Sequence, residues 1–392
     1  MVRSRTPEDK TSGRPEPKLQ QQSGRTDQVT LFLAGDVMTG RGIDQVLPHP
    51  SDPRIYESYM TSADHYVRLA EMTNGPIQRQ VDFEYVWGDA LTELDRRQPD
   101  MRLINLETAV TKCADPEPKG INYKMNPENF PVITAASVDC CVLANNHVLD
   151  WGRRGLLETL QTLESASVEV AGAGKSLEEA QAPAVLQASG KRVIVFAFGS
   201  QTSGIPPSWA ATKDRPGINF LPELSEQAAD HIGGEVRKVK SPGDIAVASL
   251  HWGPNWGYEI PDQYSAFARG LIDDAAIDVI HGHSSHHPKA IEVYRGKLIL
   301  YGCGDFFDDY EGIGGYEAFR DDLVLMYFPT IRPSDGRLER LAMVPLQIRK
   351  FRLHRASSDD SAWLCDMLNE QGKKFGTRVC KAPDNTLKLV WK

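Results

Sequence analysis

Five short apolar runs punctuate the first three quarters of the chain, and each stops at a residue able to bind a metal or move a proton. VTLFLA (29–34) stops at Gly35-Asp36, and Met101 to Leu106 stops at Glu107. DCCVLA (139–144) stops at Asn145-Asn146-His147, DIAVASL (244–250) at His251, and IDVI (277–280) at His281-Gly282-His283. The runs are rich in Val, Ile and Leu and do not alternate with polar residues, as central strands covered on both faces do. Helical patterns lie between them. Tyr85 to Arg97 reads as one. RGLLETLQTLES (154–165) carries apolar residues at 156, 157, 160 and 163, a stripe along one helix face. Leu224 to Lys240 and Gln263 to Ala275 are further predicted helices. Strands alternating with helices predict an α/β architecture.

The last third has a different rhythm. AIEVY, KLILYGCG, DLVLMYF and RLAMVPLQI follow one another with little helix between them, which predicts an antiparallel addition to the sheet system. A short helix (Asp360 to Gln371) and a last strand, TLKLVW, close the chain. The first 27 residues are polar and rich in Pro, Gly, Gln and charge, so a disordered tail is expected over 1–27 and a single domain over 28–392.

Composition narrows the function classes. The net charge of −9 gives no overall electrostatic basis for binding nucleic acid or a membrane surface. No apolar run reaches the roughly 18 residues of a membrane span, and the polar N-terminus lacks the apolar segment of a secretion signal. The six cysteines form no CxxC pair, and in a chain this long they read as reduced. A cytoplasmic location is expected. Cys140 and Cys141, adjacent on a strand, face opposite sides.

Candidate chemistry gathers at the strand ends. In open α/β sheets ligands bind beyond the carboxyl ends of the strands, so Asp36, Glu107, Asn146, His147, His251 and His283 are expected on one rim. Carboxylate, amide oxygen and imidazole together suit Mn, Fe, Zn or Mg. Glu107 is the expected bridging carboxylate of a two-metal arrangement; Asn146, His251 and His283 are the other metal candidates. Asp36, His147 and His286 are the acid–base candidates, His147 because it directly follows a ligand candidate. IHGHSSHHPKAIEVY holds four of the ten histidines within seven residues. Of these, His281 is expected to be buried at the strand end and His287 to support the site from outside. Beyond His251, a Gly- and Pro-containing loop carries Trp252, Trp256 and Tyr258, expected either to pack in the core or to wall a pocket for an apolar substrate group. AGAGKS (171–176) is not a phosphate loop: that pattern needs Gly where Glu169 stands, so a turn and helix start is predicted.

GDVMTGRG (35–42), INLETAVT (104–111), LANNHVLDWGRRGLLETL (143–160), SLHWGPNWGYE (249–259) and GHSSHHPKAIEVYRGKLILYGCGDF (282–306) together resemble the CapA family of poly-γ-glutamate capsule biosynthesis proteins. The resemblance runs from about Val29 to the C-terminus. It implies the metallophosphoesterase fold, an αββα sandwich, and a peptide or polyglutamate-related substrate. It also implies a site containing the residues above, with Arg41 of the first motif joining Trp252, Trp256 and Tyr258 in substrate binding. The chain departs from the wider superfamily in three places: Asn105-Leu106-Glu107 stands where Gly-Asp usually follows the second strand, Gly282-His283-Ser284-Ser285-His286 stands for the closing Gly-His-x-His, and the first strand's motif differs as well. Asp36-Val37-Met38 stands where Asp-x-His is usual, so one metal position lacks a histidine, and a single divalent ion (Mn, Zn or Fe) or none is expected. The resemblance extends to members associated with lasso-peptide maturation, which implies a second reading: metal-independent inversion at a peptide Cα by an acid and a base on opposite faces. A third is a non-catalytic scaffold for polyglutamate synthesis.

Overall fold

The computed structural model describes residues 28–188 and 190–392, so the tail expected over 1–27 lies outside the described residues. Two mixed sheets are stacked face to face. The first is centred on β1 (Val29–Val37), β2 (Met101–Leu106), β3 (Cys140–Val142) and β4 (Glu169–Ala171), parallel neighbours in that order. The second contains β5 (Ala184–Ala188), β6 (Lys191–Ser200), β7 (Ile245–His251), β8 (Val279–His283), β9 (Ile291–Tyr294) and β10 (Lys297–Leu300). There β6, β7, β8 and β10 run parallel, and β5 and β9 join antiparallel. The chain then returns to the first sheet. β11 (Asp305–Phe307) pairs in parallel with β1. On that same side of β1, opposite β2, β12 (Leu323–Arg332), β13 (Arg337–Ile348), β14 (Thr377–Lys381) and β15 (Leu387–Trp391) extend the sheet antiparallel.

Side-chain alternation along each strand separates three cores. Leu31, Leu33, Leu103 and Val142 of the first sheet meet Val193, Val195, Ile245, Val247 and Val279 of the second in an inner core. Phe32, Ile104 and Cys141 face outward, against α2 (Asp89–Arg97) and α3 (Gly152–Ser165) through Leu94, Leu156 and Leu160. On the far side Ile194, Phe196, Ala246 and Ile280 pack on α4 (Glu226–Val239) and α5 (Asp262–Asp273). The layer order is therefore αββα, and Cys140 and Cys141 sit in different cores.

Two features aim residues at the carboxyl ends. The pairing of β1 with β2 shifts from Leu33↔Leu103 to Asp36↔Asn105, so β1 holds one extra residue there. Such a bulge re-aims the side chains that follow it. Val37 lands in the outer core, so Asp36 faces the space between the sheets. Just before it, a Cβ on Gly35 would lie 1.7 Å from the Gly304 carbonyl oxygen, so only glycine lets the segment leading into β11 cross this close. The helix expected from Tyr85 begins at Asp89, because Gly88 at φ +46 interrupts it. The hairpin of β5 and β6 and the helix α1 (Asp64–Asn74) were not anticipated. RVIVFAF is as apolar as the other runs, but it ends at Ser200 and carries no ligand-type residue to draw attention.

Candidate metal and acid–base centre

Strand ends from both sheets converge as expected. β1 supplies Asp36, the residue after β2 is Glu107, the loop after β3 supplies Asn146 and His147, and β7 and β8 end in His251 and His283. All but Asn146, which is half-buried, are buried. Asn105 holds the two carboxylates side by side: its Nδ2 donates to Asp36 Oδ1 at 2.7 Å and to Glu107 Oε2 at 3.2 Å. Asn145 in turn donates to Asn105 Oδ1 and accepts from the His147 and Val148 amides, which fixes the loop that presents Asn146 and His147.

Among the described residues, two groups of side chains each bring ligand-type atoms within reach of one point. One is Asp36, His251 and His283; the other is Asp36, His286 and Asp305. In the first, His251 Nδ1 lies 2.8 Å from His283 Nδ1, and His283 Nδ1 lies 3.8 Å from Asp36 Oδ1. His251 Nε2 is 2.9 Å from Asn146 Oδ1, and Glu107 Oε2 is 4.0 Å from His251 Nδ1. In the second, His286 Nδ1 lies 2.9 Å from Asp305 Oδ1, while Asn255 Nδ2 donates to His286 Nε2 at 2.9 Å. The shared carboxylate is thus Asp36, whereas Glu107, the bridge expected from the sequence, borders the first group and His147. A third pair stands beside them. His147 Nδ1 lies 2.6 Å from Asp150 Oδ2, with Lys119 on the other Asp150 oxygen at 2.7 Å and also bonded to the Asn146 carbonyl.

Burial dominates the acidities. It raises Asp36 to about 6, against the opposing pull of the Asn105 hydrogen bond and His286. Burial and then the charge of Asp36 hold Glu107 and Asp305 well above the ordinary carboxylate range. Burial takes His147 and His286 down to about 4, and His251 and His283 well below the usual imidazole value. Protein groups alone therefore leave the acids short of positive charge and the imidazoles neutral. A buried cation would reverse the first and keep the second, since it favours ionised carboxylates and neutral nitrogen donors.

The remaining sequence candidates have different settings. Trp252 is 3% exposed and packs against Tyr264, Phe267 and Tyr301 in the core beneath α4 and α5, its Nε1 donating to the Tyr301 carbonyl. It is a core residue, correcting the expectation that it binds substrate. Trp256 stacks on Tyr316 at 3.9 Å and, with Tyr59, Tyr66, Tyr123 and Tyr310, lines a cavity of about 440 Å³ that reaches His286. Tyr258 packs on His287 and Phe319 and borders a separate cavity beside α5. Arg41 is buried at φ +46, and its guanidinium bonds Asp309, Glu57 and Tyr66 while facing the aromatic cavity. His287 is anchored by Pro288 and Gly257. Asp305 and Asp150 were missed as site residues. For Asp305 the signal was present: KLILYGCG is one more apolar run that stops at an acid.

Residues 30–310 match the family described as Bacterial capsule synthesis protein PGA_cap. A Mycobacterium tuberculosis protein named probable polyglutamine synthesis accessory protein is 48% identical over 373 residues, covering 94% of this chain and 97% of that one. The PGA biosynthesis protein CapA of Bacillus subtilis is 29% identical over 336 residues, 83% of this chain and 73% of that one. Among solved structures, GAP50, the anchor in the inner membrane complex of Plasmodium, aligns over 84% of this chain and 89% of that one with a TM-score of 0.35 and 9% identity, a likeness too slight to add to the architecture read from the strands. Among the described residues no helix is long and apolar enough to cross a membrane. With most of its length matched by the family profile and a relative this similar from end to end, the chain belongs to the bacterial capsule synthesis family PGA_cap.

Proposed function

We propose that this chain is an enzyme that binds a divalent transition metal and acts on a peptide or polyglutamate-related substrate. The observation that carries the reading is the donor set: the Asp36 and Glu107 carboxylates, Asn146 Oδ1 and the imidazoles of His251 and His283, drawn from five strand ends of two sheets. Mixed nitrogen and oxygen donors of this kind fit Mn, Fe or Zn. Held there, such an ion supplies Lewis-acid charge to an oxygen of the substrate.

The chain's own groups supply the proton chemistry around it. Asp150 accepts the Nδ1 hydrogen of His147, which leaves Nε2, 3.8 Å from Glu107, as the position that takes or gives a proton. His286 faces the aromatic cavity with its Nδ1 hydrogen given to Asp305. The cavity, walled by Trp256 and tyrosines with Arg41 behind them, orients the substrate. The names of the relatives, which concern polyglutamine, PGA and capsule synthesis, support the substrate class. Six cysteines without a disulfide support a reducing, cytoplasmic setting.

The test combines metal analysis with two reaction assays. Protein purified without chelator should contain a single transition metal, and cleavage of glutamyl or glutaminyl oligomers should disappear with chelator and in His251→Ala. Chelator-resistant uptake of solvent deuterium at a peptide Cα would replace this reading with acid–base inversion.

A further inference from the structure

We propose that Ser249 and His281 are positioning residues that decide which nitrogen of His283 carries its hydrogen, and so turn the His283 Nδ1 lone pair toward Asp36. This deepens the cation-binding reading and rests on it for one of its two readouts.

The arrangement follows from strand register. β7 and β8 pair in parallel with Ser249 opposite His281 and His251 opposite His283. Val247 and Val279 point into the inner core, and the two-residue period of a strand carries that face on to 249, 251, 281 and 283. Four polar side chains therefore stand in the layer between the sheets, where water does not reach: Ser249, His251 and His281 are fully buried and His283 is 2% exposed.

The hydrogen positions can be worked out from one end. His281 Nε2 lies 2.7 Å from the carbonyl oxygen of Ala34, on the opposite sheet. A carbonyl only accepts, so that nitrogen carries hydrogen. The His281 ring makes its polar contacts with that carbonyl and with Ser249, neither of which bears charge, so an imidazolium there would stand uncompensated at high cost. The ring is therefore neutral and its Nδ1 is bare. Ser249 Oγ, 3.1 Å from Nδ1, must donate to it. A hydroxyl has a single hydrogen. The 2.7 Å contact between Ser249 Oγ and His283 Nε2 is then made by the hydrogen on Nε2. His283, buried between two other imidazoles, is neutral as well, so its Nδ1 has no hydrogen. That lone pair faces Asp36 Oδ1 at 3.8 Å and His251 Nδ1 at 2.8 Å; His251 in turn gives the hydrogen on its Nε2 to Asn146 Oδ1 at 2.9 Å, so two bare Nδ1 atoms converge beside Asp36, where a cation would relieve their repulsion. One main-chain carbonyl of the first sheet thus sets the polarity of a chain of hydrogen bonds that ends in the site. Reversing it would move the acceptor–acceptor contact from the two Nδ1 atoms to His281 Nε2 and the Ala34 carbonyl, away from both groups of ligand-type residues that could hold a cation to relieve it.

Hydrogen-bond partners that orient a metal-binding histidine are commonly worth about 10–100-fold in metal affinity. The experiment uses the full chain, first metal-free with ¹⁵N-labelled histidine. Long-range ¹H–¹⁵N correlation should show His281 and His283 both protonated at Nε2, with bare Nδ1. In Ser249→Ala, His283 should lose its single tautomer, and Zn²⁺ binding should weaken by about 10–100-fold; Ser249→Thr, which keeps the hydroxyl, should restore both. A wild-type His283 with its hydrogen on Nδ1 overturns the proposal, as does Ser249→Ala with unchanged spectrum and affinity. Should the wild type bind no Zn²⁺, the cation reading falls, while the spectrum of the metal-free protein still decides this proposal. If Ser249→Ala does not fold, the wild-type spectrum decides it alone.

Discussion

His283 and His286 stand three residues apart, one ending β8 and the other in the loop beyond it, and each comes within reach of Asp36 together with one further ligand-type residue. The sheet treats them differently. His283 is the last residue of β8 and inherits the inner face, where Ser249 occupies its Nε2 and leaves Nδ1 open. His286 lies beyond Ser284, whose φ of +98 ends the strand geometry. There Asp305 takes the hydrogen on Nδ1 and the Asn255 amide occupies Nε2, so neither nitrogen has a lone pair to spare. Similar residues at similar separations thus give one cluster of open lone pairs and one hydrogen-bonded histidine–acid pair. Proximity of ligand-type atoms is not enough; where the hydrogens sit decides which cluster can hold a cation.

The largest effect expected from this contrast is on cation binding. His283→Ala should abolish Zn²⁺ binding measured by calorimetry, a loss beyond the ~10–100-fold of removing a ligand's partner, while His286→Ala should change it by less than about threefold, within the scatter of substitutions that touch no ligand. The opposite pattern would move the cation to the Asp305 side. The dependence on acidity comes next. Asp36 must be ionised to contribute, and burial has raised it to about 6, so Zn²⁺ affinity should fall as pH drops through about 6. An affinity flat from pH 7.5 to 5, both about one unit or more from that value, would exclude Asp36 from the ion.

Without metal the two kinds of buried group oppose one another. The imidazoles near 4 bind fewer protons than their unfolded counterparts near 6.5, so they lower stability as pH falls between those values. Asp36, raised from 3.8 to about 6, binds more protons when folded and acts in the other direction over roughly that window. Asp36→Asn should therefore make the melting temperature of the metal-free protein fall more steeply with acid than in the wild type. The smallest effect is local. Asn255→Asp exchanges the donor on His286 Nε2 for an acceptor with negative charge, which should raise the His286 pKa from about 4, as followed by NMR titration. An unchanged value would mean that the Asn255 contact does not govern that nitrogen.

Much of the rim could be read from the sequence because strands buried on both faces leave a strong apolar mark, and the mark stops where the chemistry starts. Asp36, Glu107, Asn146, His251 and His283 were legible that way. The sharing of Asp36 was not, because the extra residue in β1 that turns it inward has no signal in a run of apolar residues. The two tryptophans of WGPNW show the same limit. Gly253 at φ +82 redirects the chain between them, sending Trp252 into the core and Trp256 into the cavity wall, and four residues of spacing predict neither. Tyr59 and Tyr66, which complete that wall, come from the segment around α1, where the apolar pattern is weak and no motif falls.

Asp36 has a consequence for how the two halves of the rim communicate. Its Oδ1 is held by Asn105 and its Oδ2 by the Ser284 amide, so it cannot swing to serve one side and abandon the other. Its charge is felt by His286, and that of His286 by it. Linkage then requires reciprocity: a cation that draws on Asp36 beside His283 makes a proton on His286 less favourable by some factor, and protonating His286 weakens the cation by that same factor. A single aspartate would therefore couple cation loading of one half to the acidity of the other, and a titration of His286 would report on an ion that it does not touch.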